Sequence, residues 1–91
     1  MSATRERIEA ALTARFAPQR LEVVDESHLH AGHAGWRQGG ETHFRVTIVA
    51  DAFEGASRLA RHRMVNEALA AELADGVHAL AIRAQTPAEA G

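Results

Sequence analysis

The sequence predicts a small α/β domain, more strictly α+β, in the order α-β-β-α-β, and three observations carry that expectation. Two stretches place apolar residues at helical spacing. Three short stretches alternate or cluster branched residues as strands do. Proline or glycine stands at the borders between them. With 91 residues, one domain is expected over 1–91. Its core would run over about 5–85, with a flexible tail at 86–91.

In the first helix Ile8, Ala11, Leu12 and Phe16 share a face. Ser2 or Thr4 is its candidate cap, Glu6 suits the positive N-terminal end, and Pro18 stops it. Leu21 to Asp25 reads as a strand rich in branched residues. Residues Glu26 to Glu41 follow as a long loop punctuated by Gly32, Gly35, Gly39 and Gly40, expected to be the most mobile internal segment. From His43 to Ala50, Phe44, Val46 and Ile48 alternate with His43, Arg45 and Thr47, the pattern of a half-buried strand. Asp51 to Gly55 is a turn, and Ser57 caps a second helix running to about Ala74, with Gly76 past its end.

At roughly 100° per residue and with His62 set at zero, Leu69 and Leu73 lie about 20° to either side, and Leu59 and Val65 about 60°. His62 therefore points along the apolar stripe and is expected to be buried and hydrogen-bonded. Val77 to Ala84 is the last strand, with His78, Leu80 and Ile82 on one face. The helices should pack on one face of the three-stranded sheet, and Thr86 to Gly91 should fray.

Composition narrows the function. Net charge is −2, so no global basic field draws the chain to nucleic acid. All ten positive charges are arginine. Cysteine is absent, which removes disulfides, thiolate metal sites and cysteine nucleophiles. No apolar run reaches the length of a membrane span, and Glu6 and Glu9 argue against a transit peptide. The expectation is a cytoplasmic protein with no membrane partner.

Six histidines in so short a chain are the main anomaly. His28, His30 and His33 form an H-x-H-x-x-H cluster in the glycine-rich loop, which can bring two imidazoles onto one ion. The alternative is a solvated polar loop. His78 opens the last strand, a rigid mount beside loops, or is simply a partly exposed strand residue. His43 reads as structural. Arg58, Arg61 and Arg63, together with Arg45, are candidates for a local phosphate-binding patch, or for a solvated helix face diluted by Glu67 and Glu72. Gly55-Ala56-Ser57-Arg58 is similar to the Gly-x-x-Gly turn of KH nucleic-acid modules, with arginine in place of the second glycine. Trp36 lies in the loop and Phe16, Phe44 and Phe53 look like core, so no stacking platform for single strands is evident. No enzyme signature is present, and no catalysis is expected: Ser27 near His28 and Asp25 lacks the strand-to-helix elbow of a nucleophile.

Several segments jointly resemble the BolA-like family over about Arg5 to Glu89. They are Leu21-Glu-Val-Val-Asp-Glu-Ser27, Glu41-Thr-His-Phe44, Phe53-Glu-Gly-Ala-Ser57, Arg61-His-Arg-Met-Val65, Val77-His-Ala-Leu80 and Thr86-Pro87. The resemblance implies a type II KH-like fold. It also implies an adaptor for a monothiol glutaredoxin, monomeric when free, that shares a [2Fe-2S] cluster with that partner and glutathione and holds none alone. In that role His78 is one ligand and a loop residue the other. Without cysteine the chain falls in the histidine-loop branch. Counting on from Asp25-Glu-Ser27 lands on His30, with His33 a rival and His28 a weaker one. Imidazoles in place of two thiolates are workable on such a cluster, as Rieske centres show. The family's other role, a DNA-binding transcriptional regulator, is the alternative and would use Arg58, Arg61 and Arg63.

Overall fold

The computed structural model describes residues 3–26 and 43–91. The candidate cap Ser2, the expectation of loop mobility past Glu26, and His28, His30 and His33 lie outside the described residues.

The first helix, α1, spans Ala3–Phe16 and buries Ile8, Leu12 and Phe16, as the spacing requires. Thr4 lies in its first turn. The helix ends on Ala17 in the left-handed region (φ 45°), where its N–H still donates to the Thr13 carbonyl at 3.0 Å. That position usually takes glycine, and Pro18 follows to block a further turn.

Strands β1 (Arg20–Asp25), β2 (His43–Val49) and β3 (Ala79–Gln85) form a mixed sheet in the order β1-β2-β3. β1 runs antiparallel to β2, with Val23 opposite Val46. β3 runs parallel to β2, with Val46 opposite Ile82. Period-two alternation turns Leu21, Val23, Phe44, Val46, Ile48, Leu80, Ile82 and Ala84 to one face. That face joins Ile8, Leu12, Phe16, Val65 and Leu69 in a single core, so the helices cover one side of the sheet. Phe16 and Phe53 pack ring to ring, 5.1 Å between centroids at 40°.

After β2 the chain makes one turn of 3-10 helix at Asp51–Phe53 and passes Gly55, whose φ of 75° suits glycine. Ser57 then caps α2 (Arg58–Ala68), its hydroxyl accepting from the Ala60 N–H at 3.1 Å. The predicted single helix to Ala74 is two pieces. Leu69, at φ −105° and ψ 18°, separates α2 from α3 (Ala70–Ala74). Gly76 (φ 125°) reverses the chain, and the Val77 N–H donates to the Glu72 carbonyl at 3.2 Å, closing a Schellman-type end. Glu72, 8% exposed, is held by Arg7 of α1 at 3.2 Å, and Arg7 also holds Asp75 at 2.7 Å.

Two expectations are overturned here. His62 is half-buried at the edge of the packed face, with no hydrogen bond among the described residues. The face that packs is centred near Val65. At roughly 100° per residue, Arg61, Leu69 and Glu72 lie within about 40° of it, His62 about 60° away and Leu59 about 120° away. Leu59 is accordingly 61% exposed. The frayed tail at 86–91 is instead an ordered turn. Thr86 is buried and caps a short helix, α4 (Pro87–Ala90), through a capping box with Glu89.

Leu69→Ala, emptying a site 1% exposed, should cost about 2–5 kcal/mol in denaturant unfolding, whereas His62→Ala should cost less than about 1 kcal/mol. An equal loss at the two positions would return His62 to the core.

Candidate functional site

Strand directions bring three chain segments to one end of the sheet. β1 ends there at Asp25, opposite Phe44, and the Glu26 N–H donates to the His43 carbonyl at 2.8 Å, extending the ladder by one step. β2 begins there at His43, which pairs with Ala79, the first residue of β3. His78 therefore stands beside His43, with ring centroids 5.4 Å apart at 54°. His43 is 5% exposed and forms the floor, while His78 is exposed on top of it. Arg45 donates to Glu26 at 2.9 Å, fixing the point where the chain leaves β1. The segment that carries His28, His30 and His33 is thus tied at both ends, Glu26 and His43, beside His78.

The chemistry at this end is that of imidazole. An exposed, neutral ring offers one nitrogen lone pair to a metal, and a ring resting on a buried neighbour loses fewer orientations when it binds. His78 fits the ligand role implied by the resemblance. No group of three His, Cys, Asp or Glu that could hold a metal exists among the described residues.

The arginines of α2 do not form one patch. Arg61 is nearly buried, its side chain 13% exposed. Its Nε donates to the Ala56 carbonyl at 2.9 Å, its Nη1 to the Ala84 carbonyl at 3.2 Å, and its Nη2 to Glu89 Oε2 at 3.2 Å. These bonds tie the turn before α2, the outer edge of β3 and α4 together, and leave the guanidinium unavailable to a phosphate. Arg63 sits roughly 200° around the helix from Arg61 and is exposed on the far side. Arg58 alone of the three faces freely into a groove of about 620 Å³ between α2 and β3, also lined by His62, Ile82 and Arg83. Arg83 was legible in the sequence, since it alternates with Leu80 and Ile82 and so faces outward. Thr86-x-x-Glu89 was legible as a capping box, with Pro87 at its first helical position.

Glu89 is held well below the ordinary carboxylate range, from 4.5 to about 2, first by the Arg61 guanidinium and then by the Thr86 N–H. Arg61 is raised in turn, chiefly by its hydrogen bond to Glu89.

This architecture defines a class: a small α+β domain with a mixed three-stranded sheet and helices on one face. The family profile described as BolA-like protein matches residues 12–89. The chain is 52% identical over 86 residues to BolA-like protein 1 of Mus musculus, a match covering 90% of this chain and 60% of the mouse protein. It is 51% identical over 82 residues to the DNA-binding transcriptional regulator BolA of Escherichia coli (strain K12), covering 90% of this chain and 74% of that one. The solved BolA domain of SufE1 from Arabidopsis thaliana superposes with a TM-score of 0.89 at 46% identity, over 98% of each chain. The chain belongs to the BolA-like family. No helix among the described residues is long and apolar enough to cross a membrane.

The Arg61–Glu89 contact makes a pH prediction. The folded value of Glu89, about 2, lies below its ordinary 4.5, so its stabilisation is complete above about 4.5 and is lost as pH falls through about 2. The melting temperature of Glu89→Gln should lie below that of the parent by a constant gap from neutral pH down to about 4.5, closing towards pH 2. Because the Glu89 side chain is 47% exposed, salt should narrow the gap. A gap that persists undiminished at pH 2 would mean that the ionised carboxylate is not its source.

Proposed function

We propose that this chain is an adaptor that partners a monothiol glutaredoxin and lends histidine ligands to a shared [2Fe-2S] cluster, in iron–sulfur trafficking or iron regulation. The observation that carries the reading is the exposed His78 at the sheet end where the segment bearing His28, His30 and His33 is tied down. A cluster of this type needs four protein-side donors, usually thiolates, and supplies electron transfer or is itself the cargo. A chain without cysteine brings only imidazoles, so a partner must bring sulfur; in this reading the glutaredoxin cysteine and glutathione do so. His78 binds through one ring nitrogen, His43 supports its ring from below, and His30 is the second ligand, with His33 its alternative. Exposure of His78 leaves room for the partner to approach.

The DNA-regulator reading keeps one observation in its favour, the name carried by the E. coli relative. In this chain it would rest on Arg58 and Arg63, since Arg61 is engaged with Ala56, Ala84 and Glu89. Binding that weakens steeply with salt and is lost in an Arg58→Glu, Arg63→Glu double variant would support it; binding indifferent to both changes would remove α2 from the interface.

The adaptor reading is tested by mixing the chain with cluster-loaded monothiol glutaredoxin and glutathione and recording visible circular dichroism. His78→Ala should lose the mixed-cluster spectrum while its far-ultraviolet spectrum and melting stay those of the parent. His30→Ala should do likewise, or the double His30→Ala, His33→Ala variant if His33 substitutes. A mixed-cluster spectrum unchanged by His78→Ala would sink the ligand assignment.

A further inference from the structure

We propose that the outer edge of β3 is a docking site for an extended acidic segment of a partner protein, which pairs with Leu80 and Ile82 as a fourth strand and sets carboxylates against Arg58 and Arg83. Backbone direction is the first ground. The Ala50 N–H donates to the Gln85 carbonyl at 3.1 Å, so Gln85 faces the β2 side. The Ala84 carbonyl, bound by Arg61, faces away from it. In a parallel strand the N–H and C=O of alternate residues point to opposite sides, so Leu80 and Ile82 also turn both groups outward. Among the described residues nothing pairs with them.

An exposed edge is a template for another strand unless it is blunted. Here the blunting is confined to one end, where Arg61 and α4 close over Ala84. The rest of the seven-residue strand opens on the groove between β3 and α2, with half-exposed Leu80 and Ile82 supplying apolar contact. Charge is the second ground. Arg58 and Arg83 are exposed, and neither has an ion-pair partner among the described residues. They stand on opposite sides of the edge, Arg58 on the helix side and Arg83 on the open sheet face. An extended chain sends successive side chains to opposite faces, so two neighbouring acidic residues would meet both arginines at once.

These features favour peptide over nucleic acid. A phosphodiester backbone offers acceptors but no alternating N–H groups for the Leu80 and Ile82 carbonyls. No Phe, Tyr or Trp among the described residues lines the groove for base stacking. Strand addition at a sheet edge draws affinity from the main chain and specificity from flanking side chains. Because β3 starts one residue after His78, a strand added there would run beside the histidine end of the sheet.

The test uses the full chain and a labelled nonapeptide of three Val-Glu-Asp repeats, which places acidic residues on both faces of a strand. Binding is followed by fluorescence anisotropy, and amide exchange by NMR. The expected result is binding that slows exchange of the Leu80 and Ile82 amides and weakens roughly tenfold in Arg58→Glu and in Arg83→Glu. A peptide N-methylated on alternate residues, which keeps one hydrogen-bonding edge, should bind, and one N-methylated on every residue should fail, although both keep every charge. Equal binding by both would reduce the contact to charge attraction and overturn strand pairing. Protection of Arg20–Asp25 at the opposite edge would overturn the placement. A single-stranded oligonucleotide that binds through Arg58 and Arg83 where the peptide does not would assign the groove to nucleic acid instead.

Discussion

The constraint on which the rest depends is the double pairing of β2. As the central strand it is antiparallel to β1 and parallel to β3, so the end of β1 and the starts of β2 and β3 fall at one end of the sheet. That arrangement sets exposed His78 on buried His43 and fixes both ends of the histidine-rich connection beside them. The antiparallel half allows a direct connection between neighbours, whereas the parallel half obliges the chain to cross back over the sheet. The crossover here is α2 and α3, which supply Val65 and Leu69 to the core and Arg58 and Arg61 to the edge of β3.

Arg61 is the second organising group. Its planar fork satisfies two carbonyls and a carboxylate at once, a task a point-charge ammonium could not perform as well. The result is that α2, the end of β3 and α4 are held as one unit, and the outer edge of β3 is closed at Ala84 but open at Leu80 and Ile82. Stability and accessibility are thereby separated along one strand: the end far from His78 is clamped and the end near it is left free to meet another molecule.

Most elements could be read from the sequence because their signals are local. Pro18, Ser57 and Gly76 punctuate, and Phe44, Val46 and Ile48 alternate. What escaped depends on partners distant in the chain. Arg61 looked like one of three surface cations because its partners Ala84 and Glu89 lie 23 and 28 residues on. Glu72 is buried by Arg7, 65 residues away, so a charge read as solvated sits against α1. His62 was misplaced because an apolar stripe drawn through Leu59 and Leu73 is wider than the face that packs, and Leu59 turned out to face solvent. The break at Leu69 carries no proline or glycine to announce it. At the candidate site, the exposure of His78 at the entry to the last strand and the structural role of His43 were legible from position, but their contact was not, since it depends on the parallel register between strands joined by a long crossover.

The central claim is that this chain puts imidazole nitrogen on the shared iron. The most direct measurement is hyperfine spectroscopy on the reduced mixed complex, with the chain labelled with ¹⁵N at histidine and the glutaredoxin unlabelled. Strong couplings from ¹⁵N imidazole to the cluster spin are predicted. A reduced cluster with no ¹⁵N coupling, its iron held by sulfur alone, would contradict the account.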